Sequence, residues 1–231
     1  MSVGIAASEP VRHCEELLRI WLKSPEQDFG LVIGCGSGDE LSYLRKSFGN
    51  RRIIGLDIAT GFSSTARVEG GLINADAKQL PFRNAQFAFA VAIHSLEHVG
   101  NPDIALREIQ RILVPGGMLY VGVPNRSRLI GYLGSFDASF WQKVKWNLID
   151  YWAKLRGRFR NELGAHAGFE GKELLDLIAR YFVDEKLLTG DYLRRKYSGR
   201  IPVLILNILL SPALIKYSAT AHYVICRKGP E

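Results

Sequence analysis

Gly34, Gly36 and Gly38 lie in the run Leu31-Val32-Ile33-Gly34-Cys35-Gly36-Ser37-Gly38-Asp39-Glu40. Three apolar residues lead into a glycine turn, and an amphipathic stretch follows at once. Glycine lets the backbone turn sharply and lets a ligand lie against it. The N–H groups that open the next helix then face that ligand. A glycine turn alone is a weak signal, so its companions decide. Asp57 lies 19 residues after Gly38 and ends the apolar run Ile53-Ile54-Gly55-Leu56. A carboxylate in that place accepts hydrogen bonds from both hydroxyls of a ribose. Asp76, in Asn74-Ala75-Asp76-Ala77, ends the next short strand and can accept from the exocyclic amine of a purine. Each aspartate taken singly also suits a helix cap or a turn. In series with the glycine turn, and with His94 closing the apolar run 87–93, they indicate a nucleoside cofactor.

The elements that must hold these residues alternate strictly. A helix is predicted over Val11–Lys23, stopped by Pro25, and a strand over Phe29–Ile33. A helix over Glu40–Phe48 precedes strands at Arg52–Leu56 and Gly71–Ala75. Asn101-Pro102-Asp103 starts a helix whose Ala105, Ile109, Ile112 and Leu113 recur at helical spacing. Pro115-Gly116-Gly117 is expected to stop it before a strand at Met118–Val123. After a lapse, a helix at Lys172–Tyr181 and strands at Asp184–Thr189 and Ala221–Cys226 resume the pattern. Such alternation argues for an α/β protein with a doubly wound, mostly parallel sheet. Ligands of such sheets bind beyond the C-terminal strand ends. The irregular segments 126–167 and 193–219 leave from that side and are expected to cap the substrate.

The chain has 231 residues, enough for one domain with a full core. Its three cysteines form no C-x-x-C pair, which argues against a disulfide framework or a zinc site and fits a reducing interior. No signal peptide is visible, so a cytoplasmic location is expected. The net charge of +7 is unevenly placed: residues 1–125 hold 12 basic and 13 acidic side chains, whereas residues 126–160 hold 8 and 2. A patch of that kind suits a phosphate-bearing partner, an anionic membrane surface or nucleic acid, or is a solvated face.

Five words in fixed order carry a family resemblance. They are Ile33-Gly34-Cys35-Gly36-Ser37-Gly38, Gly55-Leu56-Asp57-Ile58, Ala75-Asp76-Ala77-Lys78-Gln79-Leu80-Pro81-Phe82, Ser95-Leu96-Glu97-His98-Val99 and Glu108-Ile109-Gln110-Arg111-Ile112-Leu113-Val114-Pro115-Gly116-Gly117. With them the chain resembles the class I S-adenosylmethionine-dependent methyltransferases, in the small-molecule "methyltransferase domain" branch. The resemblance covers about residues 29–125. It implies a single domain over 1–231 with a Rossmann-like, seven-stranded sheet, a cofactor core at 29–125 and a helical substrate cap. It implies S-adenosylmethionine lying along Gly34, Cys35, Gly36 and Gly38, its ribose on Asp57 and its adenine between Ile58, Asp76 and Ala77. His94 is then expected beside the methionine portion. The family carries an acidic residue two positions before the first glycine; here that residue is Val32, so a substitute is expected, Asp39 or a backbone carbonyl.

The chemistry implied by the resemblance asks little of the protein, because a sulfonium is already a strong methyl donor and positioning supplies much of the rate. A general base is needed only where the acceptor must lose a proton. His94 and His166 are the candidates, with His98 as a third. His94-x-x-Glu97-His98 could also converge on an ion if that turn is helical, and resembles the Glu-x-x-Glu-His of quinone-ring O-methyltransferases; metal-free relatives share Glu97-His98, and no metal is expected. Residues 139–160 interleave Trp141, Trp146 and Trp152 with Lys143, Lys145, Arg156 and Arg158, a mixture found in interfacial membrane helices. The expectation is methyl transfer to a small-molecule, lipid-like or lipid-linked acceptor, with peripheral membrane contact through 139–160. The alternatives are an RNA methyltransferase, disfavoured because no RNA-binding module is appended, and a catalytically degenerate cofactor-binding partner protein.

Overall fold

A computed structural model describes residues 8–22, 29–49, 52–132, 138–161 and 167–230. Among them seven strands form one sheet in the order β3-β2-β1-β4-β5-β7-β6. β1 (Phe29–Ile33), β2 (Arg52–Asp57), β3 (Leu72–Asn74), β4 (Phe87–Ile93) and β5 (Leu113–Pro124) are parallel. β7 (Ala221–Arg227) runs antiparallel between β5 and β6 (Val183–Leu187), so β6 points the same way as β5. The mostly parallel, doubly wound sheet read from the sequence is therefore what the chain forms, with one antiparallel strand inserted near its edge.

Every residue of β4 is buried, as expected of a strand covered on both faces. On one face pack α4 (Pro102–Ile112) and α6 (Gly171–Ile178), through Ala105, Ile109, Leu174 and Ile178. On the other pack α1 (Glu9–Trp21), α2 (Asp39–Phe48) and α7 (Thr189–Tyr197), through Leu18, Leu41, Leu44 and Leu193. α4 starts where Asn101 Oδ1 accepts the Ile104 N–H and Pro102 occupies the first turn.

Two expectations need correction. Pro115-Gly116-Gly117 does not stop α4, which already ends at Ile112. The three residues lie inside β5, where Phe87 pairs with Leu113 but Phe89 pairs with Met118. The extra residues are a bulge, a place where a strand tolerates proline and a left-handed glycine; Gly116 has φ of 73°. The other correction is α3 (Ser64–Glu69), capped by Ser63, in a stretch with no predicted element.

The two irregular segments are helical. 126–167 contains α5 (Phe140–Leu155), and α8 (Val203–Leu209) and α9 (Ile215–Ser218) follow α7 within 193–219. Asn125, fully buried at the end of β5, ties the two together: its Nδ2 donates to the carbonyls of Lys216 and Ala219 at 2.7 and 2.8 Å.

Candidate active site

The site lies at the C-terminal ends of β1, β2, β3, β4 and β5. The turn after β1 is pinned to β2, because the N–H groups of Gly34 and Cys35 both donate to the Leu56 carbonyl. Gly34 has φ of 71°, and a Cβ there would stand 2.3 Å from Ser95 Cβ. Glycine is thus required by backbone and by packing. Gly36, also left-handed at 52°, differs: a Cβ there meets nothing within 4 Å. The space above it is open, so a ligand can lie against the turn.

Asp57 ends β2 with its carboxylate under the turn. Its Oδ2 accepts the Gly36 N–H at 2.7 Å and its Oδ1 accepts the Ala59 N–H at 2.8 Å. These bonds fix both oxygens while leaving lone pairs for ligand hydroxyls. Asp76 Oδ1 accepts the Lys78 N–H at 2.9 Å, and Lys78 Nζ lies 3.4 Å from Oδ2. Gly34, Gly36, Asp57, Ile58, Asp76 and Ala77 line one cavity of about 320 Å3. That volume suits a nucleoside-sized ligand. Two expected contacts do not line this cavity: Gly38 faces α3, where a Cβ would stand 2.5 Å from Ala66 Cβ, and Cys35 turns away. Its thiol packs in the core against Gly55, and burial followed by the charge of Asp57 pushes its pKa up to about 11. Only its backbone can serve a ligand.

A second cavity, of about 400 Å3, opens beside the first. It is walled by Pro124, Arg128, Tyr132, Tyr192 and Tyr223, with Glu40 and Glu9 at one side. His94 lines both cavities. Its backbone sits at φ of 51°, a conformation uncommon outside glycine that marks a constrained functional position. The His94 N–H donating to the Gly122 carbonyl at 2.7 Å holds it there. Tyr132, on the far wall, is also left-handed, at 62°.

Behind His94 lies Glu97, whose side chain is fully buried. Glu97 Oε1 is 3.7 Å from His94 Nδ1 and 3.9 Å from His98 Nε2, and neither carboxylate oxygen has a hydrogen-bond partner among the described residues. The segment Leu96–His98 is a single 3-10 turn. Among the described residues no group of three histidine, cysteine or carboxylate side chains is arranged to hold a metal. His166 lies outside the described residues.

The tyrosine wall is closely packed. Tyr192 and Tyr223 have ring centroids 4.1 Å apart, and His13 Nδ1 lies 2.9 Å from the hydroxyl of Tyr120 behind them. Burial pushes the Tyr192 hydroxyl up to about 12 and lowers His13 to about 4, with the charge of Arg195 adding to the histidine's shift. Lys196, stacked over Tyr192 at the cavity edge, is held below its usual value first by burial. Arg128 is 4% exposed, pairs with Asp150 at 2.9 Å and lies over the Tyr132 and Phe159 rings. Its charge is balanced by Asp150 where it lines the second cavity.

Val32 is 4% exposed and buried on the face of α1 and α2, so the position gives the cleft nothing polar. Asp39, expected as the substitute, instead accepts from Ser37 Oγ at 2.8 Å. Besides Glu9, the second cavity is lined by Glu40, one residue after Asp39, which accepts from Ser8 Oγ at 2.5 Å. The sequence reasoning missed it, although its place in the first turn of α2, directly after the glycine turn, carries the signal.

Comparison with known proteins agrees with this geometry. Residues 31–121 match the family described as "Methyltransferase domain". A demethylmenaquinone methyltransferase of Staphylococcus aureus is 31% identical over 115 residues, covering 44% of this chain and 48% of that protein. The chain thus spans about half the length of the curated relatives it matches. A SAM-dependent methyltransferase from Thermotoga maritima superposes with a TM-score of 0.54 at 20% identity, over 95% of this chain and 91% of that one. A phosphoethanolamine N-methyltransferase from Haemonchus contortus, in complex with phosphomonomethylethanolamine and S-adenosylhomocysteine, gives 0.57 at 14%, over 95% and 53%. At these identities the two structures speak for the fold. Residues 31–121 are thus similar to a methyltransferase domain, within a fold that these structures share.

Proposed function

We propose that the protein transfers a methyl group from S-adenosylmethionine to a small, lipid-like acceptor. The observation that carries this reading is the pair of adjoining cavities with His94 in the wall of both. The residues present fit the cofactor: the open space above Gly36, the fixed carboxylate of Asp57 and the buried, unpartnered Ser95 Oγ together suit a nucleoside with an amino-acid arm. Gly34 and Gly36 would carry that arm, Asp57 the ribose hydroxyls, and Asp76 with the Ala77 backbone the adenine. Glu40 would take the ammonium group in place of the acidic residue that Val32 lacks.

When bound, S-adenosylmethionine supplies an electrophilic methyl group. The chain's own residues do the rest. Tyr132, Tyr192 and Tyr223 hold the acceptor's apolar body and exclude water. Arg128, fixed by Asp150, completes that wall beside Tyr132. His94 stands where an acceptor hydroxyl or acidic carbon would release its proton. The carboxylate of Glu97, 3.7 Å from Nδ1, is a negative neighbour for a proton arriving on that ring. The partial match to a demethylmenaquinone methyltransferase supports a ring with an apolar tail as the first acceptor class to try.

Calorimetric titration with S-adenosylmethionine tests the reading, with Asp57→Ala as control. Saturable binding is expected, weakened about tenfold to a hundredfold in the variant, the worth of one or two hydrogen bonds to a charged group. Binding must then be followed by transfer of a labelled methyl group to demethylmenaquinone or another prenylated ring. No binding at millimolar cofactor would overturn the reading in favour of a partner protein that has lost catalysis.

A further inference from the structure

α5 is turned inside out. A surface helix ordinarily buries its apolar stripe and shows its polar face to water. The side of α5 that meets the protein is held mainly by polar contacts, with Trp146 packed on Tyr132: Asn147 Oδ1 accepts the Gly131 N–H at 2.7 Å, Asp150 pairs with Arg128, and Lys154 Nζ donates to the Arg128 carbonyl at 2.6 Å. Its outer side carries Trp141, Leu148, Trp152 and Leu155, exposed by 76%, 54%, 59% and 81%. Those positions are spaced by seven, four and three residues, so they form one stripe along one face of the helix. Lys145 and Arg156 flank that stripe at helical spacing. No α5 side chain is buried.

A second exposed apolar surface lies beside it. α8 shows Val203, Leu204, Ile205 and Ile208, each about half exposed or more. Leu129 and Ile130, both 55% exposed, stand between the helices: the Tyr151 hydroxyl of α5 donates to the Leu129 carbonyl, and Leu129 and Ile130 share a groove with Leu206, Leu210 and Tyr217. The groove encloses about 520 Å3 and adjoins the acceptor cavity. Arg128 and Tyr192 face the cavity, while their neighbours Leu129 and Leu193 face the groove. The charge of the same segments points one way. Residues 193–219 hold five basic and no acidic side chains, so with 126–160 they carry more positive charge than the whole chain nets.

We infer that this face docks on the surface of an anionic bilayer, with the α5 stripe and α8 in the acyl boundary and the lysines and arginines among the headgroups. Trp and Leu on one side and Lys and Arg at the rim are what an interfacial helix needs. Basic residues near an anionic leaflet each add attraction. The charge argues against a second copy of this chain, which would set like charge against like. Leucine in the stripe and isoleucine on α8 argue against nucleic acid, which would be held by phosphate contacts and stacking alone. No helix among the described residues is long and apolar enough to cross a membrane, so the face lies on the bilayer rather than through it. The groove behind Leu129 then opens at membrane level and leads a lipid tail towards the acceptor cavity. The docking itself stands independently of the methyl-transfer reading.

Flotation of the full chain with phosphatidylcholine vesicles, with and without phosphatidylglycerol and without cofactor, tests this. Recovery with the anionic vesicles alone is expected, together with a blue shift of indole fluorescence. Lys145→Gln and Arg156→Gln should each weaken the partition about fivefold, the effect of one surface charge. Trp141→Glu with Trp152→Glu should weaken it at least about tenfold. These four positions are exposed, and unchanged circular dichroism will show that the variants fold. Equal recovery with both vesicle types, no recovery with the anionic ones, retention of RNA in their place, or full binding by the tryptophan double variant would each overturn the inference.

Discussion

α4 and α5 are both regular helices with a side-chain cap at the N-terminus, and they treat their apolar residues in opposite ways. α4 puts Ala105, Leu106, Ile109 and Ile112 into the core and shows charge to water. α5 anchors through Asn147, Asp150 and Lys154 and shows Trp141, Leu148, Trp152 and Leu155 outward. The first arrangement contributes folding stability in water. The second contributes little there and leaves an apolar face for a partner. The difference separates the half that carries the expected cofactor core, whose apolar residues answer to the fold, from the expected cap, where α5 and α8 leave theirs exposed.

The sharpest way to break this comparison is to truncate matched residues. Ile109→Ala, at a fully buried position, should cost about 2–5 kcal/mol in urea unfolding, through lost transfer energy and the cavity left behind. Leu148→Ala should stay within about 0.5 kcal/mol, because its side chain is exposed in both states. A large loss at Leu148 would show that α5 packs through that stripe after all.

The two halves were also unequally legible. In the cofactor half, period-2 and period-3.6 patterns coincide with glycine and proline punctuation, so local sequence and tertiary packing demand the same thing. Phe29–Ile33 and Phe87–Ile93 are strands as predicted, and the glycine turn and both aspartates stand where the pattern puts them. The bulge at Pro115-Gly116-Gly117 was read as a helix stop because proline and glycine serve either purpose; only the pairing of β5 with β4 distinguishes the two. In the cap, the apolar run 201–215 gives no period, since α8 buries Leu206 but exposes Val203, Leu204, Ile205 and Ile208. Nor does local sequence show that Tyr120, Tyr192 and Tyr223 meet, as strands β5 and β7 and helix α7 bring them together across the fold. Val32 showed that a carboxylate was lacking, but not that Glu40 would line the neighbouring cavity.

Acid should strain the wall between the halves before it strains the bilayer-facing surface. His13 behind the tyrosine wall and His222 beside Gly171 are both lowered to about 4, in each case chiefly by burial. Their folded pKa values lie below the ordinary 6.5, so the unfolded chain binds more protons between those limits. Stability is therefore complete above about pH 6.5 and falls as pH drops towards 4. The fall is at most about 1.4 kcal/mol per pH unit for each histidine. His222→Gln should flatten the decline of thermal midpoint over that interval; an unchanged slope would mean that the ring is not held neutral.

The smallest expected effect concerns the carboxylate at the boundary. Glu40 comes from the first turn of α2, directly after the glycine turn, yet lines the cavity bordered by Arg128, Tyr132 and Lys196. If it holds the cofactor's ammonium group, Glu40→Gln removes the charge but keeps the acceptor for Ser8 Oγ. S-adenosylmethionine should then bind about fivefold to tenfold more weakly, the value of one charge-assisted hydrogen bond. Adenosine, which has no ammonium group, should bind both proteins alike. Asp39→Asn should leave both ligands nearly unaffected, because Asp39 is turned to Ser37. An equal loss for adenosine and S-adenosylmethionine in Glu40→Gln would place Glu40 among residues that merely support the turn. A loss confined to Asp39→Asn would mean that α2 rotates its first turn to bring the other carboxylate to the ligand.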